Sequence, residues 1–285
     1  MPKEGRGDDP LATPAAAERA LERIGLQRLL RLGVAGAIPL LWGEVAVLHY
    51  RGSYHSKAMW LPIVYLPLEM AAGILAGSVD TRLTRRIFRA FSFGTAALGA
   101  FGTFMHLRGV RRQMGGFALW RYNGMTGPPV LAAPQVALFG LIGVLGTSKA
   151  NDAEIIRCLR LLLITSELLM AAEAGHDHYK NYFANRVQYT PLVLAPALAA
   201  VQAAAQAKSE PVRKAGRRLE TAVAAAGVVA GLVGFGFHLA NIRKRPGGFS
   251  WQNLFYAAPL VAPLQFTGQG LFGLLASFFD RKERR

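Results

Sequence analysis

One cysteine, Cys158, occurs in 285 residues. That excludes an internal disulfide and any cysteine-based metal cluster. Acidic residues are scarce, 17 Asp+Glu against 33 Lys+Arg. The basic excess is not gathered into a soluble domain but falls between apolar runs, which leaves no surface for a nucleic-acid partner. There is no Gly-rich phosphate loop, no Cys-x-x-Cys-His for covalent haem, no HExxH, and no serine or cysteine catalytic constellation. No helix carries the widely spaced histidine pair of stacked-haem quinol oxidoreductases. Residues 1–28 lack an apolar h-region and hold Glu4, Asp8, Asp9, Glu18 and Glu22. They read as a cytoplasmic tail with an amphipathic segment, not as a cleaved signal.

What the chain has in quantity is apolar length, with 52% hydrophobic residues. Eight runs stand out: 29–48, 59–79, 87–107, 129–146, 159–176, 187–207, 219–240 and 255–279. Most approach the roughly 17–25 residues that cross a bilayer core. The run at 129–146 is short, and the run at 159–176 contains Glu167 and Glu173. The expected class is all-α, a polytopic membrane protein with eight transmembrane helices.

The chain also repeats itself. His49-Tyr50-Arg51 with Tyr54, Pro62 and Pro67 returns as His178-Tyr179-Lys180 with Tyr182, Pro191 and Pro196. His106-Leu107, Gly115-Gly116-Phe117 and Trp120 return as His238-Leu239, Gly247-Gly248-Phe249 and Trp251. The offsets are 129 for the first histidine, 132 for the second and 131 for the tryptophan. A period this long fixes architecture. The expected domains are a first four-helix repeat at 29–148, a cytoplasmic linker at 149–156, a second four-helix repeat at 157–280 and a basic tail at 281–285. With four spans each, the halves enter the membrane in the same direction and are parallel repeats.

Basic residues set the orientation. One side collects 22 Lys and Arg, the other 11. Both termini are therefore expected in the cytoplasm, and the protein in a bacterial inner membrane. Prolines recur at matching places, Pro62/Pro67 with Pro191/Pro196, and Pro128, Pro129 and Pro134 with Pro259 and Pro263. They read as shaping the bundle.

Four histidines recur, each at the outer end of its span: His49, His106, His178 and His238. Paired imidazoles on two parallel neighbouring helices suit the two axial positions of haem iron. The expectation is two b-type haems, one held by His49 with His106, the other by His178 with His238. The protein would then be an electron-transfer subunit of a respiratory or other redox complex, with other redox subunits and a quinone as partners. The outer loops 108–128 and 241–257 follow the histidines directly. Arg108, Arg111, Arg112 and Trp120, with Arg243, Lys244, Arg245 and Trp251, form the expected partner surface, and Phe117/Trp120 and Phe249/Trp251 an apolar lid.

Two other classes stay open. Glu44 and Glu173 precede the repeated histidine by five residues, and Glu173 with His176 makes a Glu-x-x-His. A membrane enzyme with a non-haem metal held by Glu44, Glu173 and His176, acting on a lipid-like substrate, is one alternative. The first half has no second histidine to match, which disfavours a symmetric di-iron centre. A transporter or assembly scaffold without cofactor is the other. Glu69 and Glu167 lie deeper in the spans without repeat partners, Glu69 reading equally as a proton or quinone-site residue and as a carboxyl bonded across helices.

Overall fold

The computed structural model describes residues 14–283, so the acidic tail residues Glu4, Asp8 and Asp9 and the last two arginines lie outside the described residues. Those residues form helices and no strands. In order they are α1 (Pro14–Ile24), α2 (Leu26–Arg51), α3 (Leu61–Ser78), α4 (Arg82–Arg112), α5 (Trp120–Thr126), α6 (Ala132–Leu145), α7 (Asp152–Tyr179), α8 (Thr190–Ala204), α9 (Glu210–Lys244), α10 (Trp251–Tyr256) and α11 (Leu264–Lys282). Single 3-10 turns precede α3, α5 and α8.

Among the described residues, five segments are long and apolar enough to cross a membrane: Leu26–Arg51, Lys57–Ser78, Arg82–Arg112, Arg186–Ala204 and Glu210–Lys244. In the first and last of these, only 17% of the most apolar window is buried. Val64, Phe104, Val193 and Val229 are each more than half exposed. Glu69, Glu167, Arg160, Gln202 and Glu220 are buried instead. Outward apolar side chains and inward polar ones suit a lipid solvent, where every polar group must be satisfied internally. The chain has the build of an integral membrane protein.

Three of the eight runs give helices that fall short of those five. Helix α6 has 14 residues, about 21 Å at 1.5 Å per residue. Helix α11 begins only at Leu264, and α7 carries charge at both ends. Proline is the physical cause in α6 and α11. Pro128 and Pro129 precede α6, and Pro259 and Pro263 precede α11, so 127–131 and 257–263 do not join the helices they lead into.

The packing order is that of two four-helix bundles. Helix α2 lies along α3, α3 along α4, α4 along α6, and α6 returns to α2; α7, α8, α9 and α11 close a second ring in the same order. The rings meet where α6 packs on α7 and α11 on α2. Close helix approach recurs too. A Cβ on Gly140 of α6 would sit 2.5 Å from the Ala96 nitrogen of α4, and one on Gly270 of α11 would sit 2.6 Å from the Ala224 oxygen of α9. Gly99 faces Ala137 in one ring as Gly231 faces Thr267 in the other.

The ring order corrects one expectation. In an up-down-up-down bundle, helices that run the same way are diagonal. Thus α2 and α4 are not neighbours, and neither are α7 and α9. Their histidines are therefore carried on diagonal helices, not on adjacent ones.

Helix α1 packs on the start of α2, with Arg19, Glu18, Glu22 and Arg23 exposed. Gly25, at φ 82°, makes the turn between them.

Candidate cofactor site

Each bundle is filled at one end and loose at the other. On α2 the buried positions stop at Ile38, eleven residues before His49. On α7 they stop at Met170, eight before His178. On α4 and α9 they lapse between Gly99 and Val110 and between Gly231 and Ile242, the stretches that carry His106 and His238. The side chains around the four histidines are thus part-buried rather than closely packed, unlike those toward the other end of each helix.

His49 lies within electrostatic range of His106, and His178 within range of His238. Three of the rings are oriented in one way. Nδ1 of His49 bonds the Met59 carbonyl at 2.8 Å, that of His106 the Pro129 carbonyl at 2.7 Å, and that of His238 the Pro259 carbonyl at 2.6 Å. A carbonyl only accepts, so Nδ1 must carry the proton. The neutral ring then keeps its lone pair on Nε2. This is how proteins fix the tautomer of a metal-binding imidazole. Among the described residues, the ring of His178 has no such bond; its neighbour is Phe183, with ring centroids 6.4 Å apart.

Backbone strain recurs beside the first histidine of each pair. Ser53 and Tyr54 have φ of 56° and 45°, and Tyr182 and Phe183 have 52° and 48°. Left-handed backbone costs a non-glycine residue roughly 1–2 kcal/mol. The amides of Tyr54 and Phe183 return to the carbonyls of His49 and His178, both at 3.1 Å. Tyr54 stacks on Trp60 at 4.3 Å, and Phe183 on Tyr189 at 4.4 Å. In both halves the strained turn folds an aromatic pair against the end of the histidine helix.

The Gly-Gly loops are pinned by residues that motif reading passed over. Asn123 Nδ2 donates to the Met114 and Gly116 carbonyls, and Asn253 Nδ2 to those of Pro246 and Gly248. Gly115, Gly116, Gly247 and Gly248 all take positive φ. The signal was present as an asparagine repeated at an offset of 130. Phe117 and Trp120 approach each other at 6.0 Å. Trp251 instead stacks on Phe255 at 3.9 Å, so Phe249 and Trp251 do not form the expected pair. Phe117, Trp120, Phe249 and Trp251 are each about half exposed. Arg108, Arg111, Arg112, Arg243, Lys244 and Arg245 are exposed.

The second roof reaches into the first half. Arg51 donates from Nε to the Phe255 carbonyl and from Nη2 to the Ala257 carbonyl at 2.7 Å. Tyr50 meets Trp251, Phe255 and Tyr256 edge-on or tilted. The segment following α10 also supplies the carbonyl to His238. Both histidine pairs therefore lie at the same end of the molecule.

The carboxylates Glu44, Glu173 and Asp177 lie within electrostatic range of one another where the halves meet. His176 is 3.4 Å from Asp177. Among the described residues, no three His, Cys, Asp or Glu side chains converge closely enough to hold a metal ion. Glu44, Glu173 and His176 do not form a ligand set.

At the opposite end two arginines counted as topology signals prove to be buried. Arg31 donates to the Ala76 carbonyl at 3.1 Å and to that of Gly146 at 2.7 Å, and it pairs with Asp80 at 2.9 Å. Arg160, 129 residues later, takes both oxygens of Glu220 at 2.8 and 2.6 Å and Asp280 at 3.1 Å. Each ties its helix to two others.

No known protein family, curated protein or solved structure matches the chain.

Proposed function

We propose that the protein is a membrane-embedded electron-transfer subunit built as two tandem, parallel four-helix repeats with eight crossings. In this reading each repeat binds one b-type haem through His49 with His106 or through His178 with His238. The observation that carries it is the tautomer control. Three histidines on diagonal helices, His49, His106 and His238, spend Nδ1–H on a backbone carbonyl, in stretches of helix with few buried neighbours. A histidine with only a packing role has no need to keep Nε2 bare in such a space.

The residues fit the group by donor type and number. His49 with His106, and His178 with His238, would each offer two imidazole nitrogens to hold the iron. The bound haem supplies a one-electron couple. The chain's own part is to hold the rings, exclude water and set the local field. The carbonyls of Pro129 and Pro259, just before α6 and α11, accept from and fix the second ring of each pair. Tyr54, Trp60, Phe183 and Tyr189 close the end of the bundle beside the first. The exposed Arg108, Arg111, Arg112, Arg243, Lys244 and Arg245 surround the outer end with positive charge. They serve an acidic extracytoplasmic partner through electrostatic steering and can neutralise propionates through charge-assisted bonds. A membrane quinone or second subunit completes the circuit. The non-haem metal alternative loses ground because its carboxylates and His176 do not converge with a third ligand.

The test is an absorption spectrum of the purified protein, followed by haem quantification in variants. The wild type should show a reducible b-type spectrum with two haems per chain. His49→Ala and His238→Ala should each remove about half the haem while the protein still inserts. A colourless folded protein, or full haem in all four single His→Ala variants, overturns the reading.

A further inference from the structure

The interior of the second bundle holds polar side chains with nothing to bond. Glu167 on α7 is fully buried, and neither of its carboxyl oxygens has a hydrogen-bond partner. Gln202 on α8 is also fully buried, with both amide atoms unpartnered. Beside them Ser166 donates to Gln135 Oε1 at 2.6 Å and accepts from Gln269 Nε2 at 2.7 Å, while Gln269 Oε1 is unpartnered. An orphaned buried polar atom costs about 1–3 kcal/mol. In a bilayer core no external water relieves it. So many orphan atoms in one bundle call for internal water, which typically makes about three bonds to such groups.

These side chains stand in order along the bundle. Arg160 of α7, with Glu220 of α9 and Asp280 of α11, occupies the end opposite the histidines. Glu167 lies seven residues further along α7, about 10 Å at 1.5 Å per residue. Gln202 falls between these levels, because a Cβ on Gly273 would sit 3.4 Å from its Nε2 and 3.2 Å from Ala224, one turn beyond Glu220. Beyond Glu167 on the same helix come Glu173 and Asp177, with Glu44 of α2 across the join. The first bundle lacks this series: Ile38 stands where the repeat places Glu167, and Gly73 where it places Gln202. Its deep carboxyl, Glu69, accepts from Thr95 through one oxygen and leaves the other, with the nearby Ser92 hydroxyl, unpartnered, but no amide relay like Gln202 stands between it and the Arg31 end.

We propose that Glu167 is a proton-binding site reached through internal water from the Arg160–Glu220–Asp280 end of the second bundle, with Gln202 as the relay. Gln202 donates and accepts at once, as a water-chain neighbour must. Glu167 exchanges one proton between its carboxyl and that water and undergoes no other chemistry. No charged side chain offsets it: α8 offers only Gln202, α6 and α11 offer Gln135 and Gln269, and the cations Arg160 and Arg217 are committed to Glu220 and Asp280. An unpaired carboxylate there carries a desolvation cost of several kcal/mol, so the resting group holds its proton. The site is separate from the histidine pairs and does not depend on their occupant.

Infrared spectroscopy of the full chain in lipid nanodiscs tests this. The wild type should show a protonated-carboxyl C=O band that shifts when H2O is replaced by D2O. The difference spectrum against Glu167→Gln should contain that band, with the variant folded and inserted. Gln202→Leu should keep the band and slow its D2O shift by roughly tenfold or more, about 1.4 kcal/mol in barrier. A difference spectrum without the band, a band indifferent to D2O, or a Gln202→Leu shift as fast as wild type overturns the proposal. Should Glu167→Gln not fold, Glu167→Asp keeps a carboxyl and must move the band; an unmoved band is equally fatal.

Discussion

Arg160 and Asn253 show what single residues do that composition hides. Arg160 counts in the sequence as one more cation on the cytoplasmic side, yet it is 3% exposed and bonds two carboxylates. Removing one partner of a buried pair leaves a buried charge uncompensated, at roughly 3–5 kcal/mol. Glu220→Ala should therefore lower the unfolding free energy by about that amount, read from the denaturation midpoint in detergent. Arg85→Ala breaks a pair that is more than a third exposed on both sides and should change it by less than about 1 kcal/mol. Equal effects would show that the Arg160 cluster is not desolvated as described. Asn253 works locally. Its amide holds two carbonyls of the Pro246–Gly248 turn. Asn253→Ala should raise hydrogen exchange at Gly247 and Gly248 while leaving α9 protected. Exchange that spreads along α9 would mean the turn and helix open as one unit.

At the scale of elements, the reading from sequence succeeded where a property is periodic or repeated. Helical character and the recurrence of the Gly-Gly turns pinned by Asn123 and Asn253 follow from apolar spacing and the repeat offsets. It failed where the answer depends on which helix lies beside which. Ring order is a tertiary property, so α2 and α4 passed for neighbours when they are diagonal. The role of Pro129 and Pro259 was also hidden, since a freed carbonyl has no letter in the sequence. Glycine shows the same division. Gly140 lets α6 approach the backbone of α4, with a Cβ position 2.5 Å from a backbone nitrogen, whereas Gly268 has open space. Small residues of this kind govern helix association in membranes. Gly140→Ala should destabilise the bundle by about 1–3 kcal/mol, seen as a lower thermal midpoint, and Gly268→Ala should leave it unchanged. If Gly268→Ala is the more harmful, lipid or a partner covers that face.

For the whole molecule, the number of crossings decides everything about sidedness. Hydropathy marks only α2, α3, α4, α8 and α9 as sufficient to span. Were these the only crossings, α4 would deliver residues 113–185 to the outer side, and after α8 and α9 the C-terminus would lie outside as well. Eight crossings instead return 148–152 and the C-terminus to the side of the N-terminus. The eight-crossing proposal rests on packing. Helix α6 runs along α4 and touches α2 and α7, and α11 runs along α9 and touches α7 and α2, so both lie in the same layer as the five. Their polar residues, and those of α7, turn inward: Gln135, Ser166 and Gln269 bond one another, and Arg160 bonds Asp280. Such residues lower a window average without facing lipid. The basic residues agree, since the 22 expected on the cytoplasmic side include Lys149, Arg157, Arg281 and Lys282, which eight crossings place there. In a Cys158→Ser background, single cysteines at Lys149, Glu283 and Arg112 decide the matter with a membrane-impermeant maleimide. Arg112→Cys should label from outside in intact cells, and Lys149→Cys and Glu283→Cys only after the membrane is opened. Labelling of Lys149→Cys from outside would reduce the protein to five crossings and separate α6, α7 and α11 from the membrane, and with them the second histidine helix.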